Sequence, residues 1–175
     1  MPNYRRARNA GATYFFTVVT AQRRPLLATI EAIAVLRQSV AEVHRQMPFL
    51  IDAWVVLPEH MHALWTLPKD DMDFSSRWGR IKAGFTRRCG LAHTSGRRRD
   101  AGLWQPRFRE HLIRDEADFA AHMDYLRYNP VKHGHVARVI DWPHSSFHRC
   151  VRQGIYPVDW GNSEPAIPLD RTFGE

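Results

Sequence analysis

Cysteine is scarce in this chain, and the scarcity excludes a class. Only Cys89 and Cys150 occur among 175 residues, too few for a disulfide framework and not spaced as a C-x-x-C pair. Free thiols fit a reducing compartment, so a cytoplasmic location is expected. Long apolar runs are also missing, which argues against a bilayer-spanning segment. The Arg-rich start lacks the apolar stretch of a secretory signal. Acidic residues are in the minority, with 18 Asp and Glu against 25 Lys and Arg, and the formal net charge is +7 with a pI near 10.0. A surface of that sign suggests a polyanionic partner. What remains is ordinary for a soluble globular protein, with 44% hydrophobic residues and a mean hydropathy of -0.44. The length allows one domain with a proper core. Residues 1–160 are expected to form it and 161–175 a tail.

The chain reads as alternating elements with no internal repeat. Residues 13–20 (TYFFTVVT) are β-branched and aromatic and predict a strand. Thr29 is an N-cap for a helix over 30–46, with Ile33, Leu36, Val40 and Val43 at helical spacing. Two apolar runs, 50–57 and 60–67, flank Pro58-Glu59 and predict a hairpin. Asp73 caps a helix over 74–88, and residues 103–113 predict another strand. Asp115, followed by Asp118, opens a third helix that Pro130 should end or kink. The order β-α-β-β-α-β followed by a further helix is the ferredoxin-like α+β arrangement. In it the first and third strands are central and two helices cover one face of the sheet. The third helix is left to cover the other face.

On a strand, residues i and i+2 share a face, so His60 and His62 project together and can grip one divalent ion. Met61, Ala63, Trp65 and Leu67 then form the core face of the same strand. A single His-x-His among 10 histidines is unremarkable by itself, and His133-Gly134-His135, after a proline and around a glycine, reads as a loop feature. The third helix adds His122, Tyr125, Tyr128 and Asn129. Tyr125 and Asn129 are spaced i, i+4 and stack on one helical face. A tyrosine one turn from an amide oxygen, facing a histidine pair, suggests a shared site. There an ion on His60, His62 and Asn129 would hold a phosphate for attack by Tyr125. A free tyrosine is only about 0.1% ionised at pH 7, so it needs a nearby cation or base.

These residues resemble a family. His60-Met61-His62 is similar to the HUH motif, two histidines around a hydrophobic residue. Trp104-Gln105-Pro106-Arg107-Phe108, Leu112-Ile113-Arg114-Asp115-Glu116 and the run from Tyr125 through Asn129-Pro130-Val131-Lys132-His133-Gly134-His135-Val136 resemble the REP-associated tyrosine transposases, relatives of the single-tyrosine insertion-sequence transposases. The strand at 13–20, Arg23-Arg24-Pro25-Leu26 and Trp142-Pro143-His144-Ser145-Ser146-Phe147 fit as well, so the resemblance spans about residues 4–150. It implies a ferredoxin-like core, Tyr125 as catalytic nucleophile, and Mg²⁺ or Mn²⁺ on His60 and His62 with Asn129 as third ligand. It also implies cleavage and rejoining of single-stranded DNA beside hairpins of repeated extragenic palindromes, through a 5′-phosphotyrosine link. His133 and His135 depart from the family, which more often has a small and an aliphatic residue there.

Two imidazoles make manganese at least as suitable as magnesium, which prefers oxygen ligands. Arg5, Arg6, Arg23, Arg24, Arg97, Arg98 and Arg99 are candidates for phosphate contacts. The expected partner is single-stranded or hairpin DNA, bound by a monomer or homodimer with no membrane involved. Two rivals belong to other classes. One is a non-catalytic hairpin DNA- or RNA-binding module, although the RRM signature is absent. The other is a structural zinc site joining the histidine pair to Cys89 or Cys150, with spacing poor for zinc.

Overall fold

The computed structural model describes residues 9–89 and 102–162. The expected phosphate contacts Arg5, Arg6, Arg97, Arg98 and Arg99, and most of the expected tail, lie outside the described residues. The elements are β1 (Thr13–Val19), α1 (Ile30–Gln46), β2 (Leu50–Val56), β3 (His60–Thr66), α2 (Phe74–Arg88), β4 (Arg109–Leu112), α3 (Glu116–Lys132) and α4 (Phe147–Arg152). Four antiparallel strands form one sheet in the order β2-β3-β1-β4, so β1 and β3 are central as the ferredoxin-like reading requires.

Strand alternation divides the core in two. Tyr14, Phe16 and Val18 of β1 and Met61, Ala63 and Trp65 of β3 pack with Leu36 and Val40 of α1 and Trp78, Ile81 and Phe85 of α2. Trp65 and Trp78 stack there at 4.2 Å and 12° between planes. On the opposite face, Phe15, Ala53, Val55 and Leu64 pack with Met123, Tyr125 and Leu126 of α3. The side chains that begin the helices cap them as the sequence suggests. Thr29 accepts from the Ala32 backbone at 3.1 Å, Asp73 from Ser76 at 3.0 Å and Asp115 from Asp118 at 2.8 Å.

Three local features differ from expectation. The last strand is four residues rather than eleven. Pro106 offers no N–H to a ladder, and among the described residues just upstream an isolated bridge from Trp104 to Thr20 forms in place of a strand. α3 runs through Pro130 to Lys132. The proline forfeits one helical bond close to the end, where the chain closes by His133 N–H to Asn129 O at 3.0 Å and His135 N–H to Pro130 O at 2.9 Å. Gly134 takes φ +71 there, the left-handed conformation that ends a helix cheaply. Lastly, α4 is only six residues, too short to leave a periodic pattern. Among the described residues no helix is long and apolar enough to cross a membrane.

Candidate active site beneath the third helix

His60 opens β3 and His62 follows on the same face, turned away from Met61, with relative exposures of 1% and 0%. Their rings lie 4.9 Å apart, centroid to centroid. Each ring is held by its Nδ1. His62 Nδ1 is 3.0 Å from the Thr17 hydroxyl on β1, and His60 Nδ1 is 2.9 Å from Glu59 Oε1. An imidazole anchored through Nδ1 presents Nε2 outward, the arrangement of a metal ligand whose other nitrogen is oriented by a carboxylate or hydroxyl. Nε2 of both histidines and Oδ1 of Asn129 are buried and lie outside the protein's hydrogen bonds.

α3 crosses this face and brings Tyr125 to it. The Tyr125 ring is 5.4 Å from His62 and 6.1 Å from Phe15, which in turn stacks on His62 at 5.1 Å. Asn129, one turn further along, is fully buried. Tyr128, as the helix geometry suggests, turns elsewhere and lies beside Gly161 in the C-terminal segment. Two residues join that sequence reasoning did not assign. Lys132 Nζ donates to the Tyr125 hydroxyl at 3.2 Å and also sits 4.8 Å from its ring centre. The His133 ring, at the α3 terminus, is 5.2 Å from His60. The i, i+7 spacing of Tyr125 and Lys132, two helical turns, was the available signal for the lysine.

The lip beside His60 is built from the turn after β1. Thr20 N–H donates to Glu59 O at 2.9 Å and Leu27 N–H to Pro58 O at 2.8 Å. This lays the exposed Arg23 and Arg24 next to the strand end that carries the histidines. Gln22 and Arg23 both have positive φ, 57° and 51°, a costly conformation for side-chain-bearing residues. The cysteines stand apart from the histidines. Cys89 follows α2, and the buried Cys150 accepts from the Arg127 guanidinium at 3.2 Å, so the zinc reading gains no support.

His122 is a docking residue. Its Nδ1 donates to Asp118 O at 2.8 Å, and its ring stacks on His111 of β4 at 4.4 Å. Asp118 accepts from His111 Nε2 at 2.8 Å and from the Arg114 backbone at 3.0 Å. Burial pushes the Asp118 carboxyl up, but the hydrogen bonds from His111 and Arg114 outweigh it and hold it well below the usual carboxylate range. A depressed folded-state value means that the ionised carboxylate stabilises the fold above the unfolded-state pKa, about 3.9. That contribution disappears as pH falls through the folded value. Asp118→Ala should therefore cost about 2–3 kcal/mol near neutral pH, a melting shift on the order of 4–12 °C. The gap to wild type should shrink in acid. Calorimetric melts at pH 7 and pH 3 check this, and an equal gap at both would sink it.

The fold and this site define a class: a ferredoxin-like domain whose sheet carries a histidine pair under a tyrosine-bearing helix. No family model matches the chain, but individual relatives do. It is 52% identical over 160 residues to the REP-associated tyrosine transposase of Escherichia coli K12, covering 91% of each chain. A Haemophilus influenzae protein provisionally given the same name is 44% identical over 168 residues, covering 93% of this chain and 95% of that one. The solved structure of a REP-associated tyrosine transposase bound to a REP hairpin superposes with a TM-score of 0.86 at 48% identity, over 100% of this chain and 98% of that one. The chain belongs to the REP-associated tyrosine transposases.

Proposed function

We propose that this protein nicks and rejoins single-stranded DNA beside a hairpin of the REP type, with Tyr125 as nucleophile. The observation that carries the reading is the Tyr125 ring against His62, on the sheet face that bears both histidines, with its hydroxyl held by Lys132. The Tyr125 oxygen attacks the phosphodiester, an O–P bond forms, and the bond to the 3′ oxygen breaks. The departing strand keeps a 3′-hydroxyl after taking up a proton, and the other fragment remains as a 5′-phosphotyrosine. Because the ester conserves the bond, the free hydroxyl can reverse the step without ATP.

His60, His62 and Asn129 fit a divalent ion as two nitrogen donors and one oxygen donor, with Glu59 and Thr17 orienting the imidazoles. Bound there, Mg²⁺ or Mn²⁺ would polarise the scissile phosphate. Lys132 donates to the tyrosine oxygen and would stabilise the charge that grows on it as its proton leaves. Arg23 and Arg24, on the turn tied to the start of the histidine strand, would hold the strand entering the site, and the net charge of +7 favours DNA association generally.

The test is a denaturing gel of protein with end-labelled hairpin DNA and Mn²⁺. A labelled band at the size of a protein–DNA adduct is expected, and it should vanish with EDTA. Hairpin binding without any adduct would favour the non-catalytic binding module instead. Lys132→Met should slow adduct formation about 10–100-fold at pH 7, within the range for losing one positioned proton-transfer or charge-stabilising group. The deficit should narrow at higher pH, where ionisation of the phenol needs less help. A deficit that stays constant across the pH range would make Lys132 a packing residue.

A further inference from the structure

A cleft of about 520 Å³ opens where α1, β2 and α4 meet, away from the histidine face. Its lining brings together Arg37 of α1, Arg149 and Arg152 of α4 and His148, with Ile51 and Trp54 of β2 supplying apolar surface. The chain builds this place by closing a sheet edge. Ser146 N–H donates to Trp54 O at 2.9 Å, Trp54 N–H to the Ser146 hydroxyl at 3.0 Å, and Val56 N–H to His144 O at 2.9 Å. Residues 144–146 thus cover the outer edge of β2, which removes it as a site for strand pairing, and α4 follows directly. Arg149 is fixed on that edge by bonds from its guanidinium to Asp52 O at 3.0 Å and Ile51 O at 3.3 Å.

Among the described residues, three guanidinium groups line the cleft and no carboxylate does. Among the described residues the nearby acid is Asp52, whose carboxylate accepts from the Thr66 hydroxyl at 2.8 Å, feels the charge of Arg149 and does not line the cleft, so Arg37 and Arg152 carry most of the uncompensated charge. Gathered like charges repel one another, and a bound polyanion relieves that repulsion. Cations beside a half-buried tryptophan are the combination that holds unpaired nucleic acid, phosphates on the arginines and a base on the ring. A cleft of this volume suits a ligand of small-molecule size, on the order of one or two nucleotides, and does not admit a duplex.

We propose that this cleft binds an unpaired stretch of the DNA substrate, with phosphates on Arg37, Arg149 and Arg152 and a base against Trp54. The proposal rests on the reading of the protein as a hairpin-DNA transposase. Its place in the fold suits that role. Val55 of β2 pairs with His62, so the cleft borders the strand next to the histidine strand, about 5 Å away. A strand leaving the histidine face round the β2 edge passes over residues 144–146 and meets the arginines.

Fluorescence anisotropy with the full chain tests it, using one DNA hairpin made blunt, with a 5′ unpaired extension, or with a 3′ unpaired extension. Arg37→Ala/Arg152→Ala removes two exposed charges, and Trp54→Leu removes the stacking surface. For one of the extended hairpins, each variant should weaken binding about tenfold, and the double variant should flatten the log K against log salt slope by about 1.4. Blunt-hairpin affinity should stay within about twofold. Equal losses on blunt and extended hairpins would assign the cleft to the stem and overturn the proposal, as would no loss on any of the three. Failure of the wider reading looks different: the wild-type chain would form no adduct with any hairpin, whatever the state of the cleft.

Discussion

Tyr125→Phe is expected to form no covalent adduct with hairpin DNA, because phenylalanine keeps the ring and loses the nucleophile. The ring does structural work. It is 2% exposed and packs against Phe15 and His62, so the fold should survive the loss of one hydroxyl. The hydroxyl accepts from Lys132, itself at the helix end. Hairpin affinity should therefore stay within a few-fold, since phosphate contacts dominate such interfaces. Tyr128→Phe is the control. It sits three residues on, beside Gly161 and the C-terminal segment rather than the histidines, and should still give the adduct. A labelled adduct from Tyr125→Phe, with none from Tyr128→Phe, would move the nucleophile to the other tyrosine and undo the assignment.

The parts of this arrangement that follow short periods were legible in the sequence. Period-two alternation put Met61, Ala63 and Trp65 on one face and the histidines on the other, and the helix spacing separated Tyr125 from Tyr128. Caps at Thr29, Asp73 and Asp115 marked three helix starts correctly because a capping bond is local. What could not be read depends on tertiary contact. Lys132 follows a proline expected to end or kink the helix. It reaches Tyr125 because α3 continues for two residues past Pro130. His133 read as part of a loop, and it is one, but the end of α3 lies over the start of β3 and sets its ring beside His60. The Arg37, Arg149 and Arg152 cleft joins residues more than a hundred positions apart across a sheet edge. No window of sequence contains it. His122 faces the edge strand rather than the histidine pair because it docks on His111 and Asp118, a contact that only the folded sheet creates.

His60→Ala and His62→Ala should each abolish cleavage and rejoining while leaving hairpin binding largely intact. The two rings share one strand face, and their Nδ1 atoms are taken by Glu59 and Thr17. That orientation turns Nε2 toward the proposed metal, and losing either ring removes one of three proposed ligands. The orienting partners should matter less, and in graded fashion. Glu59→Gln and Thr17→Val are expected to weaken Mn²⁺ binding about 10–100-fold, the usual cost of removing a hydrogen bond behind a ligand histidine. The histidine variants should lose it altogether. Both rings are buried, so each alanine leaves a void, and circular dichroism melts must first establish that the variants are folded. Mn²⁺ titration calorimetry then reads the site directly, without DNA, and the adduct gel reads the chemistry. Folded histidine variants that still cleave at near wild-type rate, or still bind Mn²⁺ with wild-type affinity, would reduce the pair to core packing between β3 and α3.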